Sequence, residues 1–229
     1  MATENLRGIW TRIQQPIVDR LSGVDPAVLT WTSLLFAFGG CYLLASADRS
    51  ADSALHLWGA LACIVVAAEL DALDGAVART FGKVSKYGDW LDHSLDRVID
   101  LSILIAIGAN LHWVANPSLG WAAATFTLLG SYMGTQAQSV GLGRNYGGFS
   151  RADRMVVTCV GIGLAAIQAM TGAFGDLALP ASLSSALEID ALNPLNAVLL
   201  ISLLGGIWTF STRFVSARKG IIALDAESE

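Results

Sequence analysis

The sequence predicts an all-α integral membrane protein, with six transmembrane helices preceded by an amphipathic surface helix. Three observations predict it. The 229 residues are 54% apolar and 14% charged, with a mean hydropathy of +0.55, far from the averages of soluble domains. Apolar runs at 27–47, 55–70 and 195–210 approach the roughly 20 residues that cross about 30 Å of hydrocarbon. Lys and Arg recur in alternate connections, as they do in cytoplasmic loops.

Taken in order, residues 5–21 place Leu6, Ile9, Ile13, Ile17 and Leu21 at spacings of three and four, the pattern of a helix lying on a membrane surface. No apolar h-region precedes Pro26, so no cleavable signal is expected and the first span inserts the chain. Apolar runs and breakers then set spans at 27–47, 55–79, 88–113, 119–140, 152–172 and 194–217. The breakers are Asp48-Arg49-Ser50, Asn116-Pro117 and the segment Gly141 to Gly148. This divides the chain into an amphipathic surface helix (1–25), a six-helix transmembrane domain (26–217) and a tail (218–229).

Orientation follows from charge. Arg7, Arg12 and Arg20, then Arg79, Lys83 and Lys86, then Arg144, Arg151 and Arg154, and finally Arg213, Arg218 and Lys219 fall on one side; Arg49 alone falls on the other. Both termini and the Lys- and Arg-rich face, with the active site, are therefore expected in the cytoplasm, in a multi-pass protein of the cell membrane. The net charge of −5 and the lack of a basic stripe argue against nucleic-acid binding. Arg outnumbers Lys eleven to three, and the C-terminal tail is acidic, a weak pointer to a high-salt source. Cys41, Cys63 and Cys159 lie in apolar runs without the paired spacing of a zinc or disulfide site, and read as small buried hydrophobes. The long connection 171–193 is assigned no chemistry, and no internal repeat suggests duplicated transporter halves.

The informative segment places Asp71 and Asp74 three apart, and Asp92 and Asp96 four apart, near the cytoplasmic ends of spans two and three. Each spacing puts both carboxylates on one helix face. A short connection makes the two helices antiparallel neighbours with axes about 8–10 Å apart, so four carboxylates converge. Unpaired, they repel one another; cations must lie between them. Oxygen donors, with no His or Cys in the pattern, favour Mg²⁺, Mn²⁺ or Ca²⁺. Four Asp suit two metal ions about 3.5–4 Å apart, an arrangement that acts on phosphoryl groups. Gly75 and Gly88 let a bulky substrate approach the backbone, and Arg79, one turn beyond Gly75, is placed to orient a carboxylate or touch a pyrophosphate. Glu69, Asp89 and Asp100 fall outside the pattern and read as solvated or structural.

Asp71, Asp74, Gly75, Ala78, Arg79, Gly88, Asp92 and Asp96 fill every fixed position of D-x-x-D-G-x-x-A-R-x8-G-x3-D-x3-D. In this the chain resembles the CDP-alcohol phosphotransferases. The likeness extends to the six spans, the surface helix, and Pro26 with Thr30 opening the first span. It implies a CDP-lipid donor (CDP-diacylglycerol or CDP-archaeol), attack by an acceptor hydroxyl, release of CMP, and a homodimer. By position it implies two divalent cations, Mg²⁺ or Mn²⁺, on Asp71, Asp74, Asp92 and Asp96, with Asp96 also taking the acceptor's proton. Gly75, Ala78, Arg79, Gly88 and Thr30 would meet the CDP-lipid.

A phosphorylated acceptor needs further cations, and Arg144, Arg151 and Arg154 of the fourth loop are the candidates, with Arg213 outlying. The segment Gly147 to Arg154 also resembles inositol-phosphate-using and archaeal members. Those members carry basic residues on the preceding helix, where this chain reads Tyr132-Met133-Gly134-Thr135-Gln136-Ala137-Gln138, leaving glycerol phosphate and inositol phosphate both open. The alternatives are a free alcohol acceptor such as serine and, from another class, a divalent-cation channel or carrier. A permeation path would spread acidic residues through the membrane's depth, whereas here they gather at one face.

Overall fold

A computed structural model describes residues 14–143, 147–189 and 191–228. Residues 14–20 are helical (α1). They are followed by α2 (Pro26–Ser46), α3 (Ala54–Thr80), α4 (Lys86–Ala109), α5 (Pro117–Ser139), α6 (Arg151–Thr171), β1 (Leu177–Ala178), α7 (Ala181–Leu187), β2 (Ala191–Leu192) and α8 (Pro194–Ser228). The six long helices fall where the apolar runs place them. Helices α2 and α6, and α8 from Pro194 to Ala226, are long and apolar enough to cross a membrane by length and composition.

Local chemistry explains the boundaries. Asp25 caps α2 through the Ala27 amide and Pro26 opens its first turn, where the missing N–H costs nothing. Asn116 and Pro117 do the same for α5. Helix α4 ends at Ala109 rather than near residue 113 because Asn110 turns the chain: its side-chain nitrogen donates to the carbonyls of Leu44 (2.7 Å) and Ala47 (2.8 Å), while its oxygen accepts from the His112 and Trp113 amides. Helix α6 ends on Gly172 at φ 59°, a left-handed cap that suits glycine. Helix α8 has no break at 217; at 1.5 Å per residue its 35 residues span roughly 52 Å.

The long helices close into a ring in which α2 packs on α3, α3 on α6, α6 on α8, α8 on α5, α5 on α4 and α4 on α2. Leu57, Ile64, Ile103, Ile107, Ile162, Leu195 and Leu199 fill its core. A smaller cluster of Val18, Leu29, Leu73 and Val77 docks α1 against α2 and α3. Of the apolar stripe expected on the first helix, Leu6, Ile9 and Ile13 lie outside the described residues, Leu21 packs against this cluster, Ile17 is exposed, and Val18 takes the buried position. The three cysteines are free and half-buried rather than fully buried, with Cys41 and Cys159 packed against the core.

Away from the site, polar contacts tie the loops at the opposite end. Arg49 pairs with Asp176 at 2.7 Å, donates to the His112 carbonyl and lies 4.6 Å over the Trp113 ring. The connection 172–193 contains α7 and an antiparallel pair, Leu177 with Leu192 and Ala178 with Ala191, structure that its short apolar runs do not announce.

Helices α4 and α5 touch backbone to backbone. A Cβ added at Gly108 would lie 2.7 Å from Gly120 Cα and 3.0 Å from the Asn116 carbonyl, atoms with no rotamer to escape into. Gly108→Ala is therefore expected to separate the two helices at a cost of about 1–3 kcal/mol, read as a lower thermal unfolding midpoint in detergent; an unchanged midpoint contradicts this packing.

Candidate active site

The four motif carboxylates converge. Oxygens of Asp71, Asp74 and Asp92 lie within 4.8 Å of one another, and so do ligand atoms of Asp92, His93 and Asp96. Asp74 and Asp96 are buried and Asp71 and Asp92 half-buried. Three of them are held by a neighbour. The Thr30 hydroxyl donates to Asp74 Oδ2 at 2.6 Å, so Thr30 orients a carboxylate as well as lining a cavity. Arg151 Nη1 donates to Asp71 Oδ2 at 2.7 Å, and Arg151 Nη2 lies 2.7 Å from Asp96 Oδ1. That second contact is an ion pair without hydrogen-bond alignment, which leaves buried Asp96 Oδ1 with acceptor capacity to spare.

This donor set fits a hard divalent cation. Oxygens on opposite sides of a Mg²⁺ at about 2.1 Å are about 4.2 Å apart, close to the spread seen here, and the one guanidinium shared among Asp71, Asp96 and Asp100 does not neutralise the cluster. His93 departs from the all-oxygen expectation. It sits between two motif residues in sequence, with Nδ1 3.5 Å from Asp92 Oδ2, but its side chain is 55% exposed.

Two cavities flank the carboxylates. One, about 630 Å³, is lined by Thr30, Asp74, Gly75, Ala78, Arg79, Gly88 and Asp92, together with the turn before α2. Every residue that the motif assigns to the CDP-lipid is on this wall. Arg79 folds back over Gly75, where a Cβ would meet Nη1 at 3.0 Å. Ser85 caps α4 by accepting from the Gly88 amide, which sets the glycine at the rim. Lys83 Nζ donates to the carbonyls of Ser22 (2.7 Å) and Val24 (2.8 Å) and so ties the α1–α2 turn over this cavity.

The other cavity, about 570 Å³, is lined by Asp96, Arg97, Arg151, Arg154 and Arg213 with Thr127, Ser131, Tyr132, Thr135 and Gln138. A capping box at Ser150 and Asp153 starts α6, which places Arg151 in its first turn and Arg154 one turn on, both facing inward. Arg97 donates to Ser131 Oγ. Arg213 donates to the Gly147 carbonyl (3.0 Å) and the Gly130 carbonyl (2.9 Å). Arg144 lies outside the described residues.

Sequence reading missed two participants. Arg97 lies 3.7 Å from Asp96 Oδ2, a local charge pair that its place in the sequence allows, but only the approach of α5 turns it into a cavity wall. Asp100, read as solvated or structural, is buried: Oδ2 accepts from Arg154 Nη2 at 2.6 Å and Oδ1 faces Arg151 Nε at 3.4 Å. A four-residue continuation from Asp96 puts it on the same helix face, a signal present in the sequence. Glu69 is half-buried and accepts from Gln14 at 3.4 Å, while Asp89 remains exposed at the first cavity's rim.

Comparison with known proteins follows the same lines. Residues 24–183 match the family model described as CDP-alcohol phosphatidyltransferase. The chain is 31% identical over 180 residues to a phosphatidylinositol phosphate synthase of Cutibacterium acnes, covering 75% of this chain and 82% of that one. A shorter segment of 73 residues is 51% identical to an archaetidylinositol phosphate synthase of Pyrococcus horikoshii, covering 31% and 34%. In fold it resembles the Mycobacterium tuberculosis phosphatidylinositol phosphate synthase solved with CDP-diacylglycerol bound, with a TM-score of 0.63, 21% identity, and coverage of 90% of this chain and 94% of that one. With most of its length matched, the chain belongs to the CDP-alcohol phosphatidyltransferase family and is a membrane transferase of phospholipid synthesis.

Proposed function

We propose that the protein joins a CDP-lipid, CDP-diacylglycerol or CDP-archaeol, to a polyol phosphate, with inositol phosphate preferred over glycerol phosphate, and releases CMP. The observation that carries this reading is the position of the acidic cluster between two cavities, one walled by the motif's glycines and Arg79, the other by four arginines. A phosphomonoester needs cationic donors, whereas a free alcohol such as serine has no use for Arg97, Arg151, Arg154 and Arg213 together. The inositol preference rests on two points. The basic residues absent from α5 are replaced in the cavity by Arg97 from α4 and Arg213 from α8, the latter admitted beside Gly134. The wall also carries hydroxyls and amides, including a buried Thr127 Oγ1 without a partner among the described residues, and these suit a ring of hydroxyls. The inositol-phosphate names of the relatives point the same way.

In this mechanism Asp71, Asp74, Asp92 and Asp96 would hold two divalent cations, Mg²⁺ or Mn²⁺, and the bound ions would supply neutralisation of the charge developing on the transferred phosphate. Arg79 and the backbone at Gly75 and Gly88 bind the cytidine diphosphate. Arg151 and Arg154 grip the acceptor's phosphate and point its hydroxyl at the lipid-side phosphorus, so much of the rate comes from placement. The hydroxyl oxygen forms the new P–O bond, the bond to CMP breaks, and the proton passes to the Asp96 carboxylate. Six membrane crossings put both termini and this site on the cytoplasmic side, which agrees with the charge bias.

The test is CMP release by purified protein from CDP-diacylglycerol and CDP-archaeol against inositol phosphate, glycerol phosphate and serine, with Mg²⁺ or Mn²⁺ and with EDTA. The expected result is metal-dependent release with inositol phosphate, lost in EDTA. Preference for glycerol phosphate would overturn the inositol assignment, and turnover with serine alone would overturn the phosphorylated acceptor.

A further inference from the structure

We propose that Asp100 is the positioning residue of the arginine-lined cavity: it sets Arg151 and Arg154 at the spacing that receives the acceptor's phosphate. The inference rests on the reading of that cavity given above. Asp100 lies one turn beyond Asp96 on α4, with a side chain 5% exposed, and a single carboxylate faces both guanidiniums, at 2.6 Å for Arg154 Nη2 and 3.4 Å for Arg151 Nε.

Two guanidiniums one turn apart on α6 repel each other, and in a buried setting little solvent screens them. Left alone they would turn apart. One carboxylate between them fixes their separation, and with cations on Asp71 and Asp96 the two guanidiniums would carry one positive charge beyond that of Asp100, which is what an incoming phosphate requires. Arg154 is held at its other edge as well, since Nη1 donates to the Phe149 carbonyl at 3.2 Å. Its guanidinium plane is thus set from two sides.

Asp100 differs from the other anions on Arg151. Asp71 and Asp96 belong to the groups whose ligand atoms converge on a cation-sized space, and Asp100 does not. Cations on the cluster therefore compete with Arg151 for Asp71 and Asp96 but leave Asp100 in place. It is the anion that stays with the arginines through the cycle. It touches neither the reacting phosphorus nor the attacking hydroxyl in this arrangement and acts only through Arg151 and Arg154.

The experiment uses the full chain in lipid nanodiscs and the acceptor that turns over best on the wild type. Asp100→Asn keeps the shape and removes the charge. The expected result is an acceptor KM raised about tenfold, with the larger part of the loss in KM rather than kcat, and with the KM for CDP-diacylglycerol and the Mn²⁺ affinity within about twofold of wild type. In an Arg154→Gln background the same substitution should add little, because the two act as a unit.

An unchanged acceptor KM, a parallel rise in both KM values, or full additivity with Arg154→Gln would overturn the proposal. Asp100→Glu, which keeps the charge but moves it by one methylene, decides the matter if the Asn variant does not fold: a selective rise in acceptor KM supports positioning, and wild-type constants contradict it. If Arg154→Gln alone leaves the acceptor KM unchanged, the reading of the cavity fails; if it raises KM and Asp100→Asn does not, only the present inference fails.

Discussion

Asp96→Asn is expected to reduce CMP release by about 10²–10⁴-fold, the usual contribution of a positioned acid or base, while the protein still folds and binds Mn²⁺. The amide cannot take the acceptor's proton but retains an oxygen for coordination. Burial makes the stability side of this prediction specific. Asp96 is 7% exposed and shares Arg151 with Asp71 and Asp100, so one negative charge fewer relieves repulsion in the metal-free cluster. The variant should therefore unfold at a temperature no lower than wild type without metal. Single-turnover CMP release and a Mn²⁺ titration by electron paramagnetic resonance test the two halves separately. Turnover near wild type would remove the base assignment, and a lower unfolding temperature would contradict the electrostatic account of the cluster.

Arg151→Ala should have the largest effect on stability and a large one on acceptor binding. Its guanidinium faces three carboxylates within 3.4 Å, and its side chain is 26% exposed. Breaking a buried pair costs about 3–5 kcal/mol; partial exposure brings the expected loss to about 2–3 kcal/mol in metal-free protein. The sign of the metal effect follows from the same charges. Without Arg151 the carboxylates bind a divalent cation with no internal competitor, so Mn²⁺ should raise the unfolding temperature of the variant more than that of wild type. With metal restored, the acceptor KM should still rise by about 10–100-fold, as expected for the loss of a charge-assisted hydrogen bond to a phosphate. An equal metal-induced shift in the two proteins would show that Arg151 does not share the cation's ligands, and an unchanged acceptor KM would remove it from the phosphate site.

Much of the architecture is legible in the chain because membrane helices are written locally. A run of apolar residues closed by Asn116-Pro117 or opened by Asp25-Pro26 states where a helix must begin, and the structure places α5 and α2 there. Helix ends that depend on distant partners are less legible. Nothing adjacent to Ala109 says that Asn110 will reach the Leu44 and Ala47 carbonyls, and the apolar run beyond it reads as four more residues of span. The short β pairing of Leu177 and Ala178 with Leu192 and Ala191 is likewise a contact across a loop, invisible to a periodicity that lasts two residues.

The candidate site divides in the same way. Sequence by itself determined the acidic half, since i,i+3 and i,i+4 spacings on two helices with a short connection leave the four carboxylates only one way to face. Tertiary structure alone decided the basic half. Arg97, Arg151, Arg154 and Arg213 come from α4, α6 and α8, and their meeting depends on how the ring of helices closes, with Gly134 small enough to admit Arg213 and Asp100 buried where it faces two guanidiniums. A motif within one hairpin is fixed by helical geometry; a cavity among four helices is fixed by packing, whose determinants are spread over the whole chain.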